Sequence, residues 1–363
     1  MTGASPVHGH TAETIPSPHQ LRQDLPVSSR AQALIEKSRC ATRQIIRRES
    51  DRLLVVVGPC SIHDTRAALS YADRLVQLRA DLSDDIEILM RAYLEKPRTR
   101  TGWKGCLYDP AIDDTCDIER GVRTGRELLA RLADMGMPVA TEFLSPIAAH
   151  YLSDLVSWGA IGARTTESQI HRELASGLPC PIGFKNSTDG NVKIAIDAIY
   201  AGSAGHQYLG VTDSGQFARV TTAGNPDCHL VLRGGLKPNY DAPSVGASSA
   251  ALASAALPQR LVIDASHGNS GKNHENQVRV CDAIADQIAE GERRIVGVMI
   301  ESYLVAGRQN YRADGTMQFG MSITDACLGW PETVSILERL ASATAGRRAL
   351  ATLQREMTSG DNA

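Results

Sequence analysis

The sequence has little net charge, no long apolar run and no clustered cysteines, and each absence removes a class of function. Its 363 residues carry 38 Lys and Arg against 41 Asp and Glu, a formal charge of −3. That leaves no electrostatic footprint for nucleic acid or for an anionic membrane. Any anion chemistry must be local. No apolar stretch approaches the ~20 residues of a membrane-spanning helix. The opening MTGASPVHGHTAETIPSP has neither the basic start nor the apolar core of a secretory signal. Eight cysteines are spread singly, which is no disulfide framework, so the expected compartment is the reducing cytoplasm. No two glycines lie two apart, and the G-x-G-x-x-G dinucleotide fingerprint is therefore missing. Gly268-Asn269-Ser270-Gly271-Lys272 lacks the Walker spacing and reads as a glycine-rich loop.

What is present is a repeated unit. Eight apolar runs read as strands: Leu53 to Val57, Ile86 to Met90, Pro138 to Glu142, Ala160 to Arg164, Pro181 to Lys185, Cys228 to Leu232, Leu261 to Asp264 and Ile295 to Ile300. Most are separated by segments of helical spacing, and continuous apolar runs suit strands buried on both faces. Eight strands alternating with helices predict a closed (β/α)8 TIM barrel, with an open doubly wound sheet as the alternative. Residues 1–28 have no periodicity and read as a mobile arm in which His8 and His10 are solvated. Ser29 to Arg48 reads as an amphipathic helix preceding the barrel. Gln207 to Thr212 and Phe217 to Thr222 flank Asp213-Ser214-Gly215-Gln216, predicting a β-hairpin inserted between strands 5 and 6. The expected division is residues 1–50 as N-terminal arm and helix, 51–350 as catalytic barrel with the hairpin at about 206–222, and 351–363 as C-terminal tail.

Just past the eight strands stand Cys60, Arg91, Glu142, Arg164, Lys185, Arg233, His267 and Glu301. In a barrel all of these face one mouth, where barrel enzymes place their sites. They sort into two sets. Cys60, His267 and Glu301, with Asp325 beyond the last strand, form a mixed S, N, O donor set suited to a divalent metal. Each alone has a plainer reading, Cys60 as a buried cysteine and His267 as a loop residue. His63 offers a second donor close to Cys60 but is expected to begin a helix. The other set is cationic: Arg91, Lys96, Arg98, Arg164, Lys185 and Arg233. Six cations in one mouth need anionic partners. They imply two phosphorylated substrates and a metal that polarises a carbonyl.

With GPCSIHD, EKPRT, GARTTESQIHRE, GFKN, LRGG, SHGNS, IES and SITDAC all in order between Asp51 and Arg348, the chain resembles the class I (type I alpha) 3-deoxy-D-arabino-heptulosonate-7-phosphate (DAHP) synthases. The resemblance implies a metal-dependent barrel that condenses phosphoenolpyruvate with erythrose 4-phosphate, the first step of the shikimate pathway. By matching motif, Cys60, His267, Glu301 and Asp325 would hold the metal, be it Mn2+, Fe2+, Co2+ or Zn2+. Arg164, Lys185 and Arg233, completed by Arg91 and Lys96, would clamp phosphoenolpyruvate. Arg98 and Thr99 would take the sugar phosphate, and Glu142 would position water. Cys327 is expected near Cys60, where oxidation would pair them.

The same resemblance implies feedback by an aromatic amino acid. Ser145, His150, Leu174, Leu178, Pro179, Tyr208, Gly210 and Val220 are the expected lining, with an oligomer contact as the alternative use of that surface. Gly210 matches tyrosine-sensitive relatives, which favours tyrosine over phenylalanine or tryptophan. A homodimer or homotetramer is expected, with no nucleic-acid or membrane partner and no fused chorismate mutase domain. Arg100 stands where relatives usually carry Thr, and Ser145 to His150 departs from the usual loop. The rival readings are 3-deoxy-D-manno-octulosonate-8-phosphate synthase and a non-catalytic effector-binding barrel.

Overall fold

The computed structural model describes residues 12–360 except Asp314, and excludes the side chains of Arg355 and 358–360. His8 and His10 lie outside the described residues. Two helices come first, α1 (Pro18–Asp24) and α2 (Ser29–Ile46). An alternation follows: β1 (Leu53–Gly58), α3 (Thr65–Asp81), β2 (Ile86–Arg91), α4 (Ile118–Asp134), β3 (Val139–Glu142), α5 (Pro146–Leu152), β4 (Val156–Ile161), α6 (Gln169–Gly177), β5 (Ile182–Lys185) and α7 (Lys193–Ser203). A hairpin, β6 (Gln207–Val211) with β7 (Phe217–Thr221), interrupts it. Then come β8 (His229–Leu232), α8 (Ala242–Ser254), β9 (Leu261–Asp264), α9 (Asn276–Ala289), β10 (Ile295–Glu301) and α10 (Trp330–Gly360). Outside the hairpin the strands close in the order β1-β2-β3-β4-β5-β8-β9-β10, and every pair is parallel. This is the (β/α)8 barrel, with the expected N-terminal extension and with the hairpin between its fifth and sixth strands.

Side chains alternate across each strand. In β2, Ile86, Ile88 and Met90 join the large cluster under the helices, whereas Leu89 faces inward. Leu54, Val56, Ala140, Trp158, Ala160, Val231, Val262 and Met299 share that inner cluster with Leu89. Ile45 and Ile46, at the end of α2, pack into the same cluster, which is how the extension seals the barrel interior. Among the described residues no helix is long and apolar enough to cross a membrane.

Two expectations are corrected. The fourth strand is Val156–Ile161 rather than Ala160 to Arg164. Gly162 and Ala163 prolong the apolar run without pairing, so Arg164 sits in the turn beyond the strand. Residues 12–28 are not a free arm. Ser17 caps α1 and Leu21 is buried. The His19 backbone N–H donates to the Asp213 carbonyl at 2.8 Å, Arg22 pairs with Asp213 at 2.5 Å, and Tyr151 donates to the Pro16 carbonyl at 2.8 Å. These partners lie far along the chain, so no local periodicity announces them.

Candidate active site

One step of alternation beyond the inner apolar cluster, the strands turn charged. Arg91, Glu142, Lys185, Arg233, Asp264 and Glu301 each follow by two residues an inward position, namely Leu89, Ala140, Gly183, Val231, Val262 and Met299. Arg91, Lys185, Arg233, Asp264 and Glu301 are buried. Above them opens a cavity of about 830 Å3, lined by Arg91, Lys96, Arg98, Thr99, Glu142, Arg164, Lys185, Arg233, His267, Glu301 and Asp325. Every cation of the expected set is there. Gly162 is what makes room for Glu142, since a Cβ at that glycine would run into the Glu142 carboxylate.

At one side of the floor the Cys60 thiol, a Glu301 oxygen and an Asp325 oxygen lie within 4.8 Å of one another. Cys60 Sγ is 3.3 Å from Asp325 Oδ2. Burial, then the Glu301 carboxylate, pushes the thiol up to about 11, so the thiol stays protonated until a metal cation arrives to reverse the balance. The Lys96 ammonium already lies 2.7 Å from Cys60 Sγ and 3.6 Å from Asp325. Burial works against its charge, yet Cys60, Glu301 and Asp325 hold it above the ordinary lysine value. The donor chemistry and the attraction of an ammonium both fit a divalent cation.

His267 lines the same cavity but stands outside that three-residue group. It adopts a left-handed φ of 54°, and its Nδ1 lies 2.9 Å from Asp264 Oδ2 and 2.6 Å from Ser266 Oγ. With Nδ1 engaged, Nε2 is the nitrogen left for a metal. His63 is elsewhere, lining a separate cavity with Arg120 and Tyr311. Asp64, not His63, caps α3.

The cations divide by what already holds them. Arg91 donates to Glu301 at 2.9 Å and to the carbonyls of Pro59 and Cys60, and its guanidinium carbon lies 3.5 Å above the Tyr93 ring. Lys185 pairs with Asp264 at 3.0 Å. Among the described residues the Arg233 side chain donates one bond, to the Gly234 carbonyl at 3.2 Å. Burial, together with the neighbouring Arg164 charge, lowers its pKa. Arg164 and Arg98 are exposed at the rim, and Arg98 donates to the Trp103 carbonyl at 2.7 Å. Glu95 fixes the base of the Lys96 to Thr99 loop by accepting from the Leu144 and Ser145 backbone at 3.2 and 3.1 Å.

Comparison with known proteins decides the family. Residues 25–338 match the DAHP synthetase I family. The chain belongs to the DAHP synthetase I family. It is 51% identical over 331 residues to the Phe-sensitive phospho-2-dehydro-3-deoxyheptonate aldolase of Escherichia coli K12, covering 91% of this chain and 95% of that one. It is 49% identical, with the same coverage, to the Trp-sensitive enzyme of Enterobacter agglomerans. A solved phospho-2-dehydro-3-deoxyheptonate aldolase from Francisella tularensis SCHU S4 superposes with a TM-score of 0.91 at 45% identity, over 93% of this chain and 98% of that one.

The expected effector residues lie on α5, the hairpin and the end of α6 with the turn after it, and none of them lines the mouth cavity. Ser145 caps α5 and His150 sits near its end. Tyr208, Gly210 and Val220 are half-buried while alternate hairpin residues are exposed. Tyr208 pairs with Val220 across the hairpin, and its phenol is raised by burial and by Glu173 of α6. Leu174 and Leu178 pack against the core. The Pro179 carbonyl accepts from Arg43 of α2 at 2.6 Å. The His150 ring reaches the hairpin turn at Asp213, 3.0 Å away. The structure adds mouth residues that the sequence reading passed over: Tyr93, Asp264, Ser266, Lys272, His274 and Arg308. For Asp264 a signal existed, since period-2 alternation in Leu261–Asp264 places it inward, below the Ser266-His267 pair.

Proposed function

We propose that this member of the family condenses phosphoenolpyruvate, erythrose 4-phosphate and water to 3-deoxy-D-arabino-heptulosonate 7-phosphate and phosphate in the mouth cavity. The observation that carries the reading is the meeting of six cations with a thiol and carboxylate cluster in one cavity of about 830 Å3. Arg164, Lys185 and Arg233 take the phosphate of phosphoenolpyruvate, where three guanidinium or ammonium groups match a dianion. Arg91 and Lys96 lie beside them for the carboxylate, and Arg98 with Thr99 at the rim receives the sugar phosphate. A divalent cation held by Cys60, Glu301, Asp325 and His267 would supply Lewis-acid polarisation of the aldehyde carbonyl.

The carbon–carbon bond forms between C3 of phosphoenolpyruvate and the aldehyde carbon. Water adds at C2, and phosphate departs by C–O cleavage. Glu142, tucked beneath Gly162, orients that water. The Arg91–Glu301 and Lys185–Asp264 pairs keep the clamp in place before substrate arrives, so little reorganisation is left to the reaction.

The hairpin corner is the effector site of this reading. An aromatic amino acid sits against Tyr208, Gly210 and Val220, with tyrosine favoured by Gly210, while the relatives named above are sensitive to phenylalanine and tryptophan. The enzyme works as a homodimer or homotetramer in a reducing cytoplasm.

Metal-stripped protein tests the reading. With manganese and erythrose 4-phosphate it should consume phosphoenolpyruvate, and one of the three aromatic amino acids should inhibit. Lys185→Ala should lower kcat/KM on the order of 10^3-fold. Near-normal turnover by that variant, or turnover only with arabinose 5-phosphate, overturns the assignment.

A further inference from the structure

One buried carboxylate joins the two halves of the mouth. Asp264 ends β9 with no exposed side-chain surface. Its Oδ2 lies 3.0 Å from Lys185 Nζ and 2.9 Å from His267 Nδ1, so one oxygen serves a phosphate-clamp cation and a candidate metal ligand. Its Oδ1 accepts from the Ser266 backbone at 3.0 Å and from Ser266 Oγ at 2.6 Å. Ser266 Oγ therefore spends its proton on Asp264, and its lone pairs face His267 Nδ1 at 2.6 Å. Both neighbours of Nδ1 are acceptors. The network fixes the proton on Nδ1 and leaves the Nε2 lone pair as the outward nitrogen.

We propose that Asp264 is a positioning residue that couples metal affinity to phosphoenolpyruvate affinity through the oxygen shared by Lys185 and His267. The proposal rests on the reading that Lys185 binds substrate phosphate and His267 binds metal. Two donors divide one acceptor. Withdrawal of electron density from the imidazole at Nε2 makes Nδ1–H the stronger donor and draws the carboxylate toward His267. The Lys185 ammonium then loses part of its partner and is freer for an incoming phosphate. Linkage requires the reverse in equal measure: phosphate on Lys185 returns the carboxylate to His267 and strengthens the metal site. Asp264 touches neither substrate nor metal in this scheme and acts only through its two neighbours.

The test is a binding measurement that needs no turnover. Mn2+ binding to metal-stripped protein is followed by the free-ion electron paramagnetic resonance signal, with and without saturating phosphoenolpyruvate. For the wild type, phosphoenolpyruvate should tighten Mn2+ about tenfold, within the usual range of site-to-site coupling. In Asp264→Asn the Mn2+ affinity should fall at least tenfold, the usual cost of losing such a partner. The coupling factor should fall to within twofold of unity, with an unchanged circular dichroism spectrum. Ser266→Ala leaves the shared oxygen in place and should keep the coupling. Wild-type protein without coupling overturns the proposal even if Asp264→Asn fails to fold. So does an Asp264→Asn protein that retains the coupling. Failure of the functional reading looks different: phosphoenolpyruvate then does not bind the wild type at any Mn2+ concentration, and Arg164→Ala is indistinguishable from it.

Discussion

Two layers of the same barrel lie two residues apart along the strands and do opposite work. The lower one, Leu89, Ala140, Val231, Val262 and Met299 with Trp158, is apolar and sealed by Ile45 and Ile46. The upper one, Arg91, Glu142, Lys185, Arg233, Asp264 and Glu301, is charged. Dispersion and water exclusion hold the first. The second is a cost to folding that cross-pairing offsets only in part: Arg91–Glu301 and Lys185–Asp264 are matched, whereas Arg233 forms no ion pair among the described residues. Stability and chemistry are thus separated by one step of strand alternation. Substitutions made one layer apart should separate them experimentally.

The largest contrast is expected at Arg233. Arg233→Met should lower kcat/KM by about 10^2 to 10^3-fold, the usual effect of removing one preorganised charge-stabilising group. Its thermal midpoint should hold or rise, because a buried guanidinium next to Arg164 is relieved. A fall in midpoint with activity retained would show that Arg233 belongs to the structural layer after all.

Leu89→Ala should do the reverse. Leu89 is fully buried, and truncation of such a residue costs about 3 kcal/mol through lost transfer energy and a residual cavity. Denaturant titration should show that loss while kcat stays within a few-fold of wild type. If kcat fell as far as stability, the two layers would not be separable.

His229 is the polar exception below the mouth, and it gives the next effect. Its Nε2 accepts from Trp158 Nε1 at 3.1 Å, its Nδ1 bonds to the Asp227 carbonyl at 2.9 Å, and burial depresses its pKa to about 4. The unfolded chain takes up this proton near the ordinary value of about 6.5. The contribution is therefore complete above about pH 6.5 and is lost as pH falls through the window down to about 4. Over the whole window it amounts to roughly 3 kcal/mol. Urea midpoints at pH 7 and pH 4.5 should differ less in His229→Gln than in the wild type. Equal differences would place the acid sensitivity in other groups.

How much of this could be read beforehand follows from the same alternation. Parallel strands buried on both faces leave continuous apolar runs, so all eight were visible, as were the cations and donors just past them. β4 was misplaced because Ser157 interrupts its apolar run while Gly162 and Ala163 extend it past the last paired residue. The docking of residues 12–28 was invisible because its partners, Asp213, His150 and Tyr151, come from the hairpin turn and α5. Asp264 was passed over as the end of an apolar strand. Its meaning depends on Lys185 and His267, which approach it only when the barrel closes.

The smallest effect is expected where neither layer reaches. On the inner face of the hairpin, a Cβ added to Gly210 would meet Val220 Cγ2 at 2.8 Å and the Tyr208 ring at 3.3 Å. Gly210→Ala must therefore move one of two residues expected to line the effector site, while no cavity residue of the mouth is touched. Among the described residues the two hairpin strands pair with each other and with no barrel strand, and Thr222 just past them meets the Ser176 hydroxyl of α6 at 2.6 Å, so the strain is absorbed locally. The inhibiting concentration of the aromatic amino acid should rise about tenfold, equivalent to about 1.4 kcal/mol of lost binding. Uninhibited kcat and KM should stay unchanged. Inhibition curves for tyrosine, phenylalanine and tryptophan on wild type and variant decide the matter. If all three were unaffected while kcat fell, the hairpin would be a support of the mouth and not a separate regulatory surface.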